Sequence, residues 1–161
     1  MTIENKVFRN VLGRFATGIT VVTGLAEDNT PVGLTVNAFT SLSLDPPLVL
    51  FCLDKGTASI NAFSKGKAFA LNVLGEDQQN LSVNFSTKKE DRFEGMDYVF
   101  WGTGVPILNN CLANLECAID DVHEGGDHLI VVGRVNRLQQ SESGKPLLYF
   151  NGKYAQIGEI D

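Results

Sequence analysis

The chain holds only two histidines, His123 and His128, and the second stands in GGDHLIVVGRV (125–135), where two glycines and Asp127 lead into an apolar run. An imidazole titrates near neutral pH and can donate or accept a hydrogen bond at either ring nitrogen. His128 is therefore either a group placed for chemistry or the decorated end of a strand. No arrangement of Ser or Cys around it identifies an activated nucleophile, so acyl transfer by a triad has poor support. Cys111, Cys117, His123 and His128 can be written as a zinc set, but steps of five or six residues differ from the close cysteine pairs of structural zinc sites. No metal is expected.

Three other stretches carry candidate polar chemistry. In GLTVNAFTSLSLDPP (33–47), a period of two puts Thr35, Asn37 and Phe39 on one face and Val36, Ala38 and Thr40 on the other. Hydroxyl and amide groups among small residues make either a hydrogen-bonding shelf for a flat ligand or an ordinary strand with a solvent-facing edge. LDKGTAS (53–59) leaves a strand for a helix, where backbone amides, the Thr57 and Ser59 hydroxyls and Lys55 either receive a phosphate or merely cap the helix. Asn84, Phe85 and Ser86 precede a charged loop holding Arg92 and Phe93; they either flank a ligand or serve as core and solvated surface. The chain has neither G-x-G-x-x-G nor a P-loop, so a bound nucleotide must be held by other means.

The elements that position these residues follow from periodicity. Phe8, Val11, Leu12 and Phe15 recur at helical spacing and predict a helix over 5–16. ITVVTGL (19–25), VGLTVNAFTSLSL (32–44) and PLVLFCL (47–53) are rich in β-branched and apolar residues, and the turn chemistry between them predicts an antiparallel meander. TASINAFSKGK (57–67) reads as a short helix, AFALNVL (68–74) as a strand and EDQQNLSVNFS (76–86) as a helix with an acidic start. Residues 87–110 read as a long loop with at most one helical turn. CLANLECAIDDV and HLIVVGRVNRLQQ flank HEGGD, and PLLYF and YAQIG flank NGK, which predicts two closing hairpins. Six or seven strands without βαβ alternation make a mainly β protein with small helices, an antiparallel barrel with helices packed outside.

Composition bounds the function. A chain of 161 residues with 43% hydrophobic and 20% charged residues suits one folded domain, expected over 1–161. A net charge of −6 without a Lys/Arg block disfavours nucleic acid and anionic membrane as partners. No apolar run approaches the ~20 residues of a membrane helix, and MTIENKVFRN lacks the order of a signal peptide, so the expected compartment is the cytoplasm. Cys52, Cys111 and Cys117, odd in number and in apolar surroundings, are expected to be reduced.

Taken together, FRNVLGRFATGITVVT, GLTVNAFTSLSLDPPLVLFCLDKGTAS, the NFS and DRFEGMDY segments, GGDHLIVVGRV and PLLYFNGKYAQIG resemble the short-chain flavin reductases that supply reduced flavin to two-component monooxygenases. The resemblance spans almost the whole chain. It implies a split β-barrel that forms a homodimer, binds FMN or FAD near the dimer interface and takes hydride from NADH or NADPH, with NADH slightly favoured. It also implies a diffusing reduced flavin that serves a partner monooxygenase. By motif, Thr35, Val36, Asn37 and Ala38 would line the isoalloxazine and Ser41 and Ser43 would continue the flavin-facing strand. Cys52, Asp54, Lys55 and Ser59 would surround the ribityl chain and phosphate, with Asn84 and Phe85 nearby. His128 would approach the nicotinamide or the flavin edge. Relatives often carry a histidine where Phe150 follows Tyr149 here. The competing expectations are a flavin- or haem-binding barrel without turnover, and a reductase of a corrinoid or ferric complex acting through bound flavin.

Overall fold

The computed structural model describes residues 2–159. Helix α1 (Asn5–Leu12) precedes strands β1 (Thr17–Gly18), β2 (Thr20–Leu25), β3 (Pro31–Val36), β4 (Phe39–Leu44) and β5 (Pro47–Asp54). A 3-10 turn (Ile60–Phe63), β6 (Ala68–Val73) and helix α2 (Gln79–Ser86) follow. The remainder is β7 (Tyr98–Phe100), β8 (Pro106–Leu108), β9 (Ala113–Gly125), β10 (His128–Gln140), β11 (Leu147–Phe150) and β12 (Lys153–Gln156).

Seven strands form the main antiparallel sheet in the order β3-β2-β6-β9-β10-β5-β4. Its two edge strands, β3 and β4, are consecutive in the chain and separated only by Asn37 and Ala38. Strands lie about 4.8 Å apart, so a flat seven-stranded sheet would hold its edges ~29 Å apart. Three Cα–Cα steps from Val36 to Phe39 reach at most ~11 Å. The sheet must therefore curl until these two strand ends approach, and the Cys52 amide, which donates to the Ala38 carbonyl at 2.9 Å, carries the β4–β5 pairing one rung into the link. This corrects two expectations. The strand over 32–44 breaks at Asn37–Ala38, and the meander over 19–53 is two separate pairs, β2 with β3 and β4 with β5.

Alternation along β5 shows how the barrel fills. Val49, Phe51 and Leu53 are buried, whereas Leu48, Leu50 and Cys52 are half-buried on the other face. The inward set packs with Val22, Val36, Phe63, Phe69, Leu71, Cys117, Ile119 and Val131. Phe51 meets Phe63 and Phe69 edge-on at centroid distances of 5.7 and 5.0 Å. Close packing reaches the backbone at Gly133, beside a register shift in β10. A side chain there would overlap the ring of Phe69 and crowd Cys117.

β2 is buried on both faces because other elements cover the outside of the barrel. There Ile19, Val21, Leu74, Phe85, Phe93, Leu108 and Leu147 make a second core. The β7–β8 pair lies within the stretch expected to be a loop. Fully buried Asn72 pins it: its side-chain carbonyl accepts from the Leu108 amide at 2.9 Å and from Asn114 at 2.8 Å, while its amide donates to the Val21 carbonyl. β1 pairs with β11 and completes a small sheet with β12. The β11–β12 turn puts Asn151 and Gly152 at φ of 52° and 75°, the left-handed pair that an Asn-Gly hairpin favours.

The helices are shorter than the periodicity predicts. α1 ends at Leu12, none of its residues is buried, and Val7, Phe8, Val11 and Leu12 are 51–63% exposed. The helix expected over 57–67 is a single 3-10 turn, and Glu76 and Asp77 lie ahead of α2 rather than in its first turn. Among the described residues no helix is long and apolar enough to cross a membrane.

Gly133→Ala is expected to lower stability by about 1–3 kcal/mol, as overpacking of a filled core does. Urea unfolding measures this; an unchanged midpoint would mean that Phe69 moves aside freely.

Candidate functional site

The C-terminal end of β5 brings together residues far apart in sequence. β5 pairs with β10 so that Cys52 faces Ile130 and Asp54 faces His128. Ala38 joins through its bond from the Cys52 amide. Asn37 and Ala38 are exposed, Cys52 is half-buried, and His128 shows 41% of its side chain. Strand backbones thus hold one small, partly open corner, and rigid elements place groups more reproducibly than loops do.

Beyond β5 the chain turns sharply. The Asp54 carboxylate accepts from the Gly56 amide at 2.7 Å, and the Thr57 amide donates to the Asp54 carbonyl at 3.0 Å. Among the described residues the amides of Ala58 and Ser59 take no backbone acceptor, and the Ser59 side chain makes no cap bond to the 3-10 turn. Free amides beside hydroxyls suit an anion such as a phosphate. Capping by Ser59, the alternative left open by the sequence, is not realised.

Lys55 is engaged differently from the expectation of a phosphate ligand. Its ammonium donates to the Gly126 carbonyl at 2.7 Å and pairs with Glu124, while its amide donates to the Asp127 carbonyl at 3.0 Å. Both bonds grip the two-residue turn between β9 and β10. That turn presents His128, whose Nδ1 lies 2.7 Å from the Asp127 carboxylate. The hydrogen bond from His128, followed by its charge, holds the Asp127 carboxyl below the usual carboxylate range.

The other expected residues sit around this corner with different standing. Thr35 donates to the Ser82 carbonyl of α2 at 2.7 Å, and the Ser82 hydroxyl shares a 2.9 Å bond with the Tyr154 hydroxyl of β12. Asn84 donates to the Arg92 carbonyl at 2.6 Å, and Arg92 donates to the Gly33 carbonyl at 2.7 Å. That pair docks the loop after α2 onto β3. Val36 is 8% exposed with its side chain in the barrel core, so only its backbone is open to a ligand. Phe85 is 1% exposed and packs edge-on against Phe93, so it supports β3 from behind and offers no free face. Ser41 and Ser43 run down β4 opposite Val49 and Leu48, away from the Asp54 end of β5 by about 16 and about 20 Å of strand.

Sequence reasoning missed Ser82, Tyr154, Glu124 and the role of Asp127. Only Asp127 had a local signal, its place beside His128 in a glycine turn; the others arrive through tertiary packing. Among the described residues no cluster of His, Cys, Asp and Glu could hold a metal ion.

Residues 12–158 match the family model described as flavin reductase like domain. The chain belongs to the flavin reductase-like family. Within it, the chain is 41% identical over 155 residues to the HsaB reductase subunit of a flavin-dependent monooxygenase from Rhodococcus jostii, covering 96% of this chain and 79% of that one. It is 41% identical over 154 residues to the NADH-dependent FMN reductase SmoA of Agrobacterium fabrum, covering 96% and 87%. Among solved structures, the NADH:FAD oxidoreductase of Streptomyces globisporus, in complex with NAD and FAD fragments, superposes with a TM-score of 0.90 at 34% identity, covering 98% and 97% of the two chains. These likenesses bear out the split-barrel expectation for a flavin reductase-like chain.

The three cysteines differ in reach. Burial pushes the Cys111 thiol up to about 11 and the Cys117 thiol up to about 12, because a thiolate is disfavoured away from water. At pH 8 each is ionised to about one part in a thousand or less. A chromogenic disulfide reagent is expected to titrate one thiol quickly in the native protein, half-buried Cys52, and all three after denaturation. Cys52→Ala should leave no fast thiol; two fast thiols in the native wild type would contradict the assigned burial.

Proposed function

We propose that this chain is an NAD(P)H:flavin oxidoreductase, with NADH the favoured donor, that reduces FMN or FAD and releases the reduced flavin to a partner monooxygenase. The observation that carries the reading is the register that sets His128 opposite Asp54 beside the exposed Asn37–Ala38 backbone and the Lys55–Ser59 turn. Exposed backbone that suits a flat ring, turn amides that suit a phosphate tail and an imidazole that suits a nicotinamide support the reading. The reading is supported by family relatives whose names specify NADH with FMN or FAD.

When both are bound, the nicotinamide passes hydride to the flavin, chemistry that belongs to the two ring systems. The protein's residues orient and enclose. Backbone at Asn37 and Ala38 lets a flat ring approach closely, and Thr35, Ser41, Ser43 and Cys52 border the strands that run from it. The amides of Ala58 and Ser59, with the Thr57 and Ser59 hydroxyls, receive the phosphate. Asp54 shapes that turn, and Asn84 fixes the flanking loop through Arg92. His128 offers Nε2 to the nicotinamide.

The reading takes residues 1–161 as one domain acting in the cytoplasm as a homodimer. An apolar stripe on α1, with Val7, Phe8, Val11 and Leu12 uncovered and Phe15 78% exposed, supports a second copy as its cover, since such patches on a lone chain mark interaction surfaces. Sedimentation velocity should give a dimer, and Phe8→Glu with Val11→Glu should give a monomer. A monomeric wild type at micromolar concentration would overturn this part.

Steady-state kinetics across FMN, FAD, NADH and NADPH test the activity, with the as-purified spectrum recorded first. NADH consumption is expected to exceed the rate with free flavin alone. His128→Ala should lower it by less than about tenfold, the worth of one positioning hydrogen bond. No acceleration with any pair, or a bound flavin that NAD(P)H does not bleach under anaerobic conditions, would overturn the reading.

A further inference from the structure

His128 does not stand alone at the mouth of its strand. Its Nδ1 lies 2.7 Å from an Asp127 carboxylate oxygen. That carboxyl is ionised at neutral pH and has no proton to give, so it can only accept. Nδ1 must carry the hydrogen, and Nε2, on the far side of the ring, takes no partner among the described residues.

The carboxylate is itself held in place. Asp127 occupies the two-residue turn between β9 and β10, and its carbonyl accepts from the Lys55 amide at 3.0 Å. The preceding Gly126 carbonyl accepts from the Lys55 ammonium at 2.7 Å, and the same ammonium pairs with Glu124 at the end of β9. Lys55 therefore grips the turn by backbone and side chain from the neighbouring strand. Unlike these exposed links, the register below them is anchored by buried Val131 opposite Phe51.

We propose that Asp127, on a turn stapled by Lys55, is a positioning residue that fixes the His128 imidazole as its Nδ1–H tautomer and turns an unprotonated Nε2 toward the nicotinamide carboxamide. This rests on the reductase reading above. An imidazole free in water prefers the opposite tautomer, with hydrogen on Nε2, so the carboxylate changes which ring edge accepts a hydrogen bond. The carboxamide NH2 of a nicotinamide is a donor and requires an acceptor there. A neutral Nε2 supplies one, and the strand pairing of His128 with Asp54 fixes where it sits. On this account Lys55 serves the turn that carries Asp127 and His128, and the phosphate tail is left to the turn amides.

Imidazole nitrogen-15 NMR of the protein at a pH where the ring is neutral reads the tautomer directly. With only His123 and His128 in the chain, His123→Gln assigns the signals. The wild type should show His128 with hydrogen on Nδ1, and Asp127→Ala should move it mostly to Nε2. Asp127→Asn, whose side-chain carbonyl still accepts, should keep it on Nδ1. The Asp127 side chain is 94% exposed, so the substitutions leave the fold intact. In the same proteins, Asp127→Ala should lower kcat/KM for NADH by about threefold to tenfold, the range of one lost hydrogen bond, with the flavin KM unchanged and Asp127→Asn close to wild type.

A wild-type ring with hydrogen on Nε2, an Asp127→Ala ring unchanged from wild type, or a flipped tautomer with unaltered NADH kinetics would each overturn the proposal. Absent turnover in the wild type overturns the reductase reading itself. That failure is told apart from this one because it appears before any substitution is made.

Discussion

Two residues, Asn37 and Ala38, join the opposite edges of a seven-stranded sheet, and most of the molecule depends on that short link. A chain that spans ~11 Å cannot connect edges ~29 Å apart, so the sheet closes around Phe51, Phe63 and Phe69. The link itself cannot enter the core, because its residues belong to neither strand. It remains as exposed backbone beside Cys52, two register steps from the Asp54–His128 pair. The candidate site lies where it does because the barrel has to be joined there.

Outside the barrel, a second layer is held by polar groups as much as by apolar ones. Asn72 is fully buried yet reaches Val21, Thr23, Leu108 and Asn114 through its side-chain amide. A buried amide with its groups satisfied specifies one arrangement, because any shift leaves an unpaired donor or acceptor at a cost of about 1–3 kcal/mol. Thr23 adds a bond to the Pro106 carbonyl. Short strands β7 and β8 acquire a fixed place on the barrel by these bonds, although three residues each could not form a stable pair alone.

The flavin reductase-like chemistry asks little of the protein in reactive groups and much in placement. Half of the candidate site was legible as residue types: His128 in a glycine turn, the Thr/Asn run ahead of Ser41, and the hydroxyl-bearing turn after Asp54. Their assembly was not. Strand pairing decided that His128 faces Asp54 and that Ala38 meets Cys52, pairs separated by 74 and 14 residues in the sequence. Val36 and Phe85 turned inward because the barrel and the second core needed their volume. Lys55 turned to the Gly126 carbonyl because β5 ends beside that hairpin.

Local physics is what the sequence alone determined. Period-two alternation in 47–53 became β5, the Asn-Gly pair at 151–152 became a left-handed hairpin turn, and the glycine turn before His128 opened β10. Each depends on backbone preference or burial within a few residues. Tertiary structure alone decided what depends on distant partners. It broke 32–44 into two strands, since only closure of the sheet requires a kink at Asn37–Ala38. It drew β7 and β8 from an aperiodic loop, since their order comes from Asn72 and Asn114 rather than from their own sequence. It also fixed the turn that carries His128, because the group that grips it, Lys55, comes from the end of a strand 73 residues earlier.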